Sequence, residues 1–415
     1  MIIILQLVIF AIIVVGITYI DGRLWGTYFT PIAILVWPFF ILLLISLAYL
    51  KANFKQFDLN DILVPIWLIG LLFFWIGGLF VKLIFSKAKI NSIHTLAFSN
   101  EINITKSKLR LLILLSYPII LGVGLKIYFL LTKFNFNLAN QDFRKNLGSG
   151  LLAHSILFLT VITIFLIIYF EKTYYKKHQI IIIIFTLLFS IFYGVKSWII
   201  IPLVSAFLGR LLIQKTKLKL KHGLIILIPL VVFWIIYQIS LGWSSTNNEF
   251  IVRHMADYLL AGPIGFSEHL TQGLPIGTNP EYAFTPLINI FRFIIGEKPL
   301  NTISDYFVTI PTGFTPNVKT FFGTLYIYGG YTFIFTSFIL GVIFYSYLLI
   351  HNYLSNSNFT PFITTLYSFM LGLLFMGWFD IYATQLSFYE VPIIALFLHF
   401  IFKLKIKFNE DSIPI

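Results

Sequence analysis

The run Arg253-His254-Met255-Ala256-Asp257-Tyr258 puts a guanidinium, an imidazole, a carboxyl group and a phenol within two turns of a helix. Helical spacing sets Asp257 one turn beyond Arg253, and Tyr258 one turn beyond His254. A planar guanidinium fork suits phosphate oxygens, and an imidazole titrates near neutrality, so this group can hold an anion and move a proton. Three more cations extend the reading: Lys196 in Tyr193-Gly194-Val195-Lys196, Arg292 in Asn289-Ile290-Phe291-Arg292, and Lys319 in Pro316-Asn317-Val318-Lys319-Thr320. Lys196 falls in a turn too short to let its ammonium wander, and Asn317 and Thr320 give Lys319 structured polar neighbours. Each has a plainer reading. Arg253 and Asp257 make an ordinary ion pair on an interfacial helix, Lys196 and Arg292 touch lipid headgroups, and residues 316–320 anchor the chain at the membrane boundary.

Other chemistries find no support. There is no HExxH, Walker A, GxSxG or EF-hand pattern, and the glycines at 122 and 124 lie inside an apolar run with no preceding strand. Cysteine is absent, so thiol nucleophiles, disulfides and thiolate metal sites are excluded. No paired acidic residues offer a cage for a divalent cation, and no cofactor is implied. Lys82, Lys126 and Arg210 lie near the ends of apolar runs, where long stems carry charge to the headgroups. Asp142, Arg144, Asp380 and Glu390 read as solvated boundary charges.

The elements that must carry these residues are membrane helices. Hydrophobic residues make up 59% of the 415-residue chain and charged residues 11%, against roughly 45–50% and about 25% in ordinary globular domains. Apolar runs fall near 2–20, 31–50, 62–85, 111–131, 150–170, 180–195, 198–213, 224–241, 321–350, 362–378 and 390–403, about eleven helices by length. The fold class is therefore an all-α polytopic membrane protein, residues 1–415 forming one integral membrane domain. Residues 1–20 lack a basic leading region and a small-residue cleavage site, which predicts a retained first helix. Asp21-Gly22-Arg23 reads as the loop that follows it. Lysines cluster at 87–108, 172–177, 215–221 and 403–407, so the positive-inside bias sets those loops in the cytoplasm, and the net charge of +13 belongs there and not to a nucleic-acid partner. Segment 242–320 then faces outward. Its amphipathic runs, 250–266 and 283–296, are expected to lie on the membrane surface between the prolines that punctuate it. No fixed-period repeat is evident, which disfavours transporters built from inverted repeats.

Four stretches in that order, Tyr193–Leu203, Asp257–Leu270, Tyr282–Gly296 and Thr315–Gly341, resemble the Wzy-type oligosaccharide repeat-unit polymerases, the family of O-antigen and capsule polymerases. Lys196 stands where that family favours arginine, Lys319 where it favours tyrosine, and Tyr328-Gly329-Gly330 where it carries an acidic stretch, a role that would pass here to Asp305 or Asp380. The resemblance implies a membrane-glycosyltransferase fold in the bacterial cytoplasmic (inner) membrane. It implies polyprenyl-pyrophosphate-linked oligosaccharides as donor and acceptor, and a chain-length regulator and a flippase as partners. Transfer from a pyrophosphate needs charge stabilised on the departing group, which fixed cations supply without a metal. Under that reading Arg253 stabilises the leaving group, and Lys196, Tyr258, Arg292, Asn317, Lys319 and Thr320 bind substrate. His254 is the base, with Asp257 and Glu268 in reserve. An O-antigen ligase that moves finished glycan, and a lipid-linked oligosaccharide flippase, are the alternatives.

Overall fold

The computed structural model of the chain describes residues 2–54, 58–85, 104–135, 141–170, 174–193, 197–213, 234, 246–300, 307–355, 357 and 359–403. All regular structure among them is helical: α1 (Ile2–Trp25), α2 (Pro31–Asn53), α3 (Leu63–Ile84), α4 (Lys106–Lys133), α5 (Gln141–Leu147), α6 (Leu151–Ile168), α7 (Lys176–Phe192), α8 (Ser197–Leu212), α9 (Thr246–Thr271), α10 (Thr285–Ile294), α11 (Phe321–Gly329), α12 (Phe333–Leu354), α13 (Thr360–Phe375) and α14 (Ser387–Lys403), with short 3-10 turns between some of them. Among the described residues seven stretches are long and apolar enough to cross a membrane: Ile3–Trp25, Pro31–Asn53, Leu63–Ile84, Lys106–Lys133, Leu151–Ile168, Phe321–Leu354 and Thr360–Trp378. The protein is a multi-pass helical membrane protein. The predicted spans at 180–195, 198–213 and 390–403 coincide with α7, α8 and α14, helices of 17, 16 and 17 residues. At 1.5 Å per residue each is somewhat shorter than a hydrocarbon core of about 30 Å. The span predicted at 224–241 lies outside the described residues, Trp234 apart.

The chain falls into two compact units. One joins Met1–Leu96, Lys219–Tyr353 and Met370–Phe388; the other joins Ala97–Leu218, Leu354–Phe369 and Tyr389–Ile415. In the first, α1, α2 and α3 pack on one another, α9 lies on α2 and α3, and α11 packs on α3. Local sequence explains several starts and stops. Pro31 opens α2 where its missing N–H costs nothing, and the Thr30 hydroxyl accepts from Ala33 N at 3.4 Å. Gly273, at φ +61°, ends α9 with Leu274 N bonded back to the His269 carbonyl at 3.2 Å. Gly330, at φ +55°, breaks the chain between α11 and α12, and the carbonyls freed at Ile327 and Tyr328 accept from Gly277 N (2.6 Å) and Asn279 N (2.9 Å). Tyr328-Gly329-Gly330 thus terminates a helix.

Aromatic side chains fill the centre of this unit. Trp67 stacks on Phe39 at 3.4 Å, meets the edge of Phe322 at 4.8 Å, and donates its indole N–H to Thr320 Oγ1 at 2.9 Å. Asp21 corrects the sequence reading: it is a fully buried residue of α1 and not part of a loop. Its carboxyl accepts from Tyr345 Oη at 2.7 Å and Trp75 Nε1 at 3.2 Å, which lets a short acidic side chain sit inside the helix layer.

In the second unit α4, α6, α7 and α8 pack together. Two of its cations do not reach for headgroups as predicted. Lys126 Nζ donates to the carbonyls of Leu147 (2.9 Å) and Ser149 (2.6 Å), and Arg210 Nη1 donates to the Ile167 carbonyl (2.9 Å), so each satisfies backbone groups left over where a neighbouring helix ends. Glu390, read as a solvated charge, pairs with His154 Nδ1 at 2.7 Å. Lys82, in the first unit, lies over the Trp25 ring at 5.1 Å.

Candidate functional site

Helix α9 carries the three catalytic candidates Arg253, His254 and Asp257 together with Tyr258, and its two halves differ. Val252 and Arg253 are exposed, whereas every residue from Leu260 to His269 is buried. The expectation of a helix lying on the membrane surface therefore fails for this stretch. The physical reason is close backbone approach, which hydrophobic periodicity does not report. A Cβ at Gly262 would strike the Trp378 carbonyl, and one at Gly265 would stand 2.8 Å from the Val318 carbonyl. The glycines let residues 316–319 and 376–379 close over the helix.

The segment 307–320 forms a reverse turn along α9. Val308 N donates to the Pro316 carbonyl (3.2 Å), Ile310 N to that of Phe314 (2.9 Å), and Gly313 takes φ +83° at the tip. Arg253 Nη2 donates to the Thr312 carbonyl at 3.3 Å, and the His254 ring meets Phe314 edge-on at 5.1 Å. Asp257, 5% exposed, accepts from Tyr49 Oη at 3.4 Å and is hydrogen-bonded by the Thr312 side chain. The predicted turn-by-turn spacing of Arg253 and Asp257 holds, and the guanidinium charge bears on the carboxyl, but their pairing is electrostatic and not a closed salt bridge. Burial pushes the Asp257 carboxyl above its ordinary value, and the Thr312 hydrogen bond and the Arg253 charge pull it back. Tyr258 lies against the Phe379 ring at 4.8 Å.

Below the tip, Lys319 is only 2% exposed and donates from Nζ to the Pro316 carbonyl at 3.2 Å. Its charge bears on His269, a fully buried imidazole whose Nε2 lies 3.2 Å from the Pro275 carbonyl. Burial lowers the His269 pKa, the Pro275 hydrogen bond opposes that, and the Lys319 charge lowers it further. Glu268, 5% exposed, is raised by burial and pulled back by Gln272, whose amide also reaches the Thr309 carbonyl at 3.1 Å. Thr320 takes φ +70° and ψ 166°, a region β-branched residues rarely enter. Two bonds hold it there: Trp67 Nε1 to its hydroxyl, and its own N–H to the Phe379 carbonyl at 3.0 Å.

Arg253, His254 and Asp257 are thus gathered against 312–314, Tyr258 against Phe379, and Lys319 against Gly265 and His269, all on one helix and the turn that covers it. Other sequence-predicted residues stand elsewhere or do other work. The Thr320 hydroxyl is engaged by Trp67, so its role is to fix the start of α11. Asn317 is exposed. Arg292 is held within its own turn by Glu297 (3.3 Å) and the Lys298 carbonyl (2.6 Å), on α10, which exposes Leu287, Ile290, Phe291 and Phe293 as an interfacial helix should. Asp380 is half-buried rather than simply solvated, accepting from Thr324 Oγ1 (2.6 Å) and Ile381 N (2.8 Å) at the first turn of α11. Lys196 and Asp305 lie outside the described residues, as does the Arg144 side chain. Sequence reasoning missed His269; its signal was the polar run Ser267-Glu268-His269 inside an apolar helix just before a glycine stop.

These features define a helical multi-pass membrane protein with a charged cluster built on a buried helix. Residues 53–408 match the family described as "Family of unknown function (DUF6337)", and the chain belongs to that family. No curated protein and no solved structure matches it.

Proposed function

We propose that this protein is a metal-independent glycosyltransferase of the bacterial cytoplasmic membrane, of membrane-glycosyltransferase architecture with about eleven spans by sequence length. It joins oligosaccharide repeat units carried on polyprenyl pyrophosphate into a surface polysaccharide at the outer face. The observation that carries the reading is Lys319, a cation withdrawn from solvent beside the helix that also presents Arg253, His254 and Asp257. Ammonium and guanidinium groups held in a site partly shielded from water interact more strongly with a developing anion than they would in bulk solvent.

In the reaction, the acceptor sugar hydroxyl attacks the anomeric carbon of the donor. The bond from that carbon to the pyrophosphate oxygen breaks, and the electron pair leaves with the polyprenyl pyrophosphate. His254 takes the hydroxyl proton, and Asp257 is the reserve base because burial raises its proton affinity. Arg253 and Lys319 neutralise the leaving group, and Tyr258 offers an aromatic face to a sugar. A chain-length regulator and a flippase supplying outward-facing substrate are the partners this role requires.

The test is glycan analysis in cells of the native host that carry Arg253→Ala in place of the wild-type protein. Loss of one such donor costs about 3–4 kcal/mol of barrier, so the polymer ladder collapses to single repeat units at unchanged membrane abundance of the variant. A normal ladder overturns the proposal. Long chains stranded on the carrier lipid point to the ligase, and repeat units retained on the cytoplasmic side point to the flippase.

A further inference from the structure

The second unit carries a cationic cluster that the proposed reaction does not use. His399, on the last turns of α14, is 2% exposed, and neither ring nitrogen has a hydrogen-bond partner. Its ring stacks on Phe359 at 3.6 Å with 19° between planes. Lys403 Nζ stands over the same Phe359 ring at 4.8 Å, and Lys108 Nζ, from the first turn of α4, stands over Phe402 at 5.9 Å. Phe362 ties the two rings together, 4.8 Å from Phe402 and 5.8 Å from His399. The charges of Lys403 and Lys108 both bear on His399. Neither lysine enters any of the salt bridges formed among the described residues.

Three physical points turn this cluster into a site. Like charges repel, so two ammonium groups converging on one imidazole are stable together only at a cost that an arriving anion removes. The aromatic platform holds both ammonium groups by their attraction to the ring faces, and an ammonium has three donors, so donors remain for an anion. The cluster also sits at membrane-boundary depth, since Lys108 lies just inside the start of the span Lys106–Lys133 and Phe359 immediately precedes the span Thr360–Trp378. What meets a membrane protein there is a lipid headgroup, and basic pockets between helix ends suit anionic ones.

We propose that Lys108, Lys403 and His399 form a binding site for the phosphate of an anionic phospholipid headgroup, with Phe359, Phe362 and Phe402 as its apolar floor. The phosphate bridges the two ammonium groups, its oxygens accept from them and from a His399 ring N–H, and the acyl chains run down the outside of α4 and α14. The site is independent of the polymerase reading.

The experiment uses the full-length protein in detergent, titrated with phosphatidylglycerol or phosphatidylcholine and read by native mass spectrometry. The wild type retains phosphatidylglycerol in preference to phosphatidylcholine. Each lysine contributes on the order of a fivefold gain in affinity, so Lys108→Gln with Lys403→Gln weakens phosphatidylglycerol retention about thirtyfold. Lys108→Arg with Lys403→Arg keeps it. Lys176→Gln with Lys177→Gln makes the same charge change on exposed positions of α7 and leaves retention within about twofold. Equal losses in both glutamine pairs, or no preference between the two lipids in the wild type, overturn the site. Displacement of the lipid by millimolar inorganic phosphate overturns the headgroup assignment in favour of a free anion. The lipid preference of the wild type needs no variant to fold, and lipid-free thermal melts of both glutamine pairs separate lost binding from lost structure.

Discussion

Replacing Lys319 by methionine separates a functional cation from a structural one. The ammonium is 2% exposed and donates to the Pro316 carbonyl at 3.2 Å. Each hydrogen bond to a charged group contributes about 1.5–3 kcal/mol, while taking one ion out of water costs several kcal/mol, so the two effects largely offset one another in the native contribution of Lys319 to stability. Methionine has similar length and adaptable packing. Lys319→Met therefore leaves the folded state within about 1.5 kcal/mol of wild type, or makes it more stable. Catalysis behaves differently. If the ammonium stabilises a departing pyrophosphate, its loss costs about 2.7–4 kcal/mol of barrier, a fall of roughly a hundredfold to a thousandfold in chain lengthening. The assay pairs a thermal melt in detergent with polymer length from membranes supplied with lipid-linked repeat units. A variant at least as stable as wild type that lengthens chains at the wild-type rate refutes the argument, because Lys319 would then be buried for no chemical reason. A variant that unfolds refutes the stability bookkeeping instead.

Other perturbations test the frame around the site. His269 has its pKa lowered below 6.5 by burial first and by the Lys319 charge, so its stabilising contribution is present above 6.5 and is lost as pH falls through the lowered folded value; melts of the wild type decline across that interval, and His269→Gln flattens the decline. Asp21→Ala removes the carboxyl that accepts from the Tyr345 hydroxyl and the Trp75 indole N–H, which costs about 2–5 kcal/mol in a denaturant or thermal titration, and Tyr345→Phe recovers part of that loss in the double variant. Gly262→Ala drives a methyl into the Trp378 carbonyl, lowering stability by about 1–3 kcal/mol and loosening the covering segment, seen as faster amide exchange at residues 376–379.

Which of these features the sequence discloses depends on how far away the deciding partner lies. Apolar run length is local, so the spans at 31–53, 63–84, 106–133 and 151–168 are readable, with ends that differ from the sequence reading by up to five residues. The same holds for Arg253 and Asp257, whose relation is set by helical pitch alone. Arg292 is a correction: read from the sequence as a substrate or headgroup cation, it is held by Glu297, which follows directly after the turn at Gly296. Asp21 was not: a charge followed by glycine reads as a loop, and the groups that permit it inside α1 come from Trp75 and Tyr345, far along the chain. The burial of α9 was hidden for a related reason. An amphipathic pattern shows which face is apolar, but residues 260–269 are covered on the other face as well, through backbone contacts at Gly262 and Gly265 that leave no trace in hydrophobic periodicity.

Lys319 lies at the far end of that scale. In the sequence it is one more lysine, three residues after Pro316, and the glycine-lined approach of 316–319 to α9 withdraws it from water. Desolvation is also what would give the ammonium its strength toward a phosphate, since the same charge at the surface would be screened by solvent and salt. The property that makes the residue chemically interesting is therefore created by tertiary packing. A sequence reading can nominate such a cation by type and neighbourhood, but the electrostatic reason for the nomination arises only when Gly265 lets the Val318 carbonyl within 2.8 Å of where a side chain would begin.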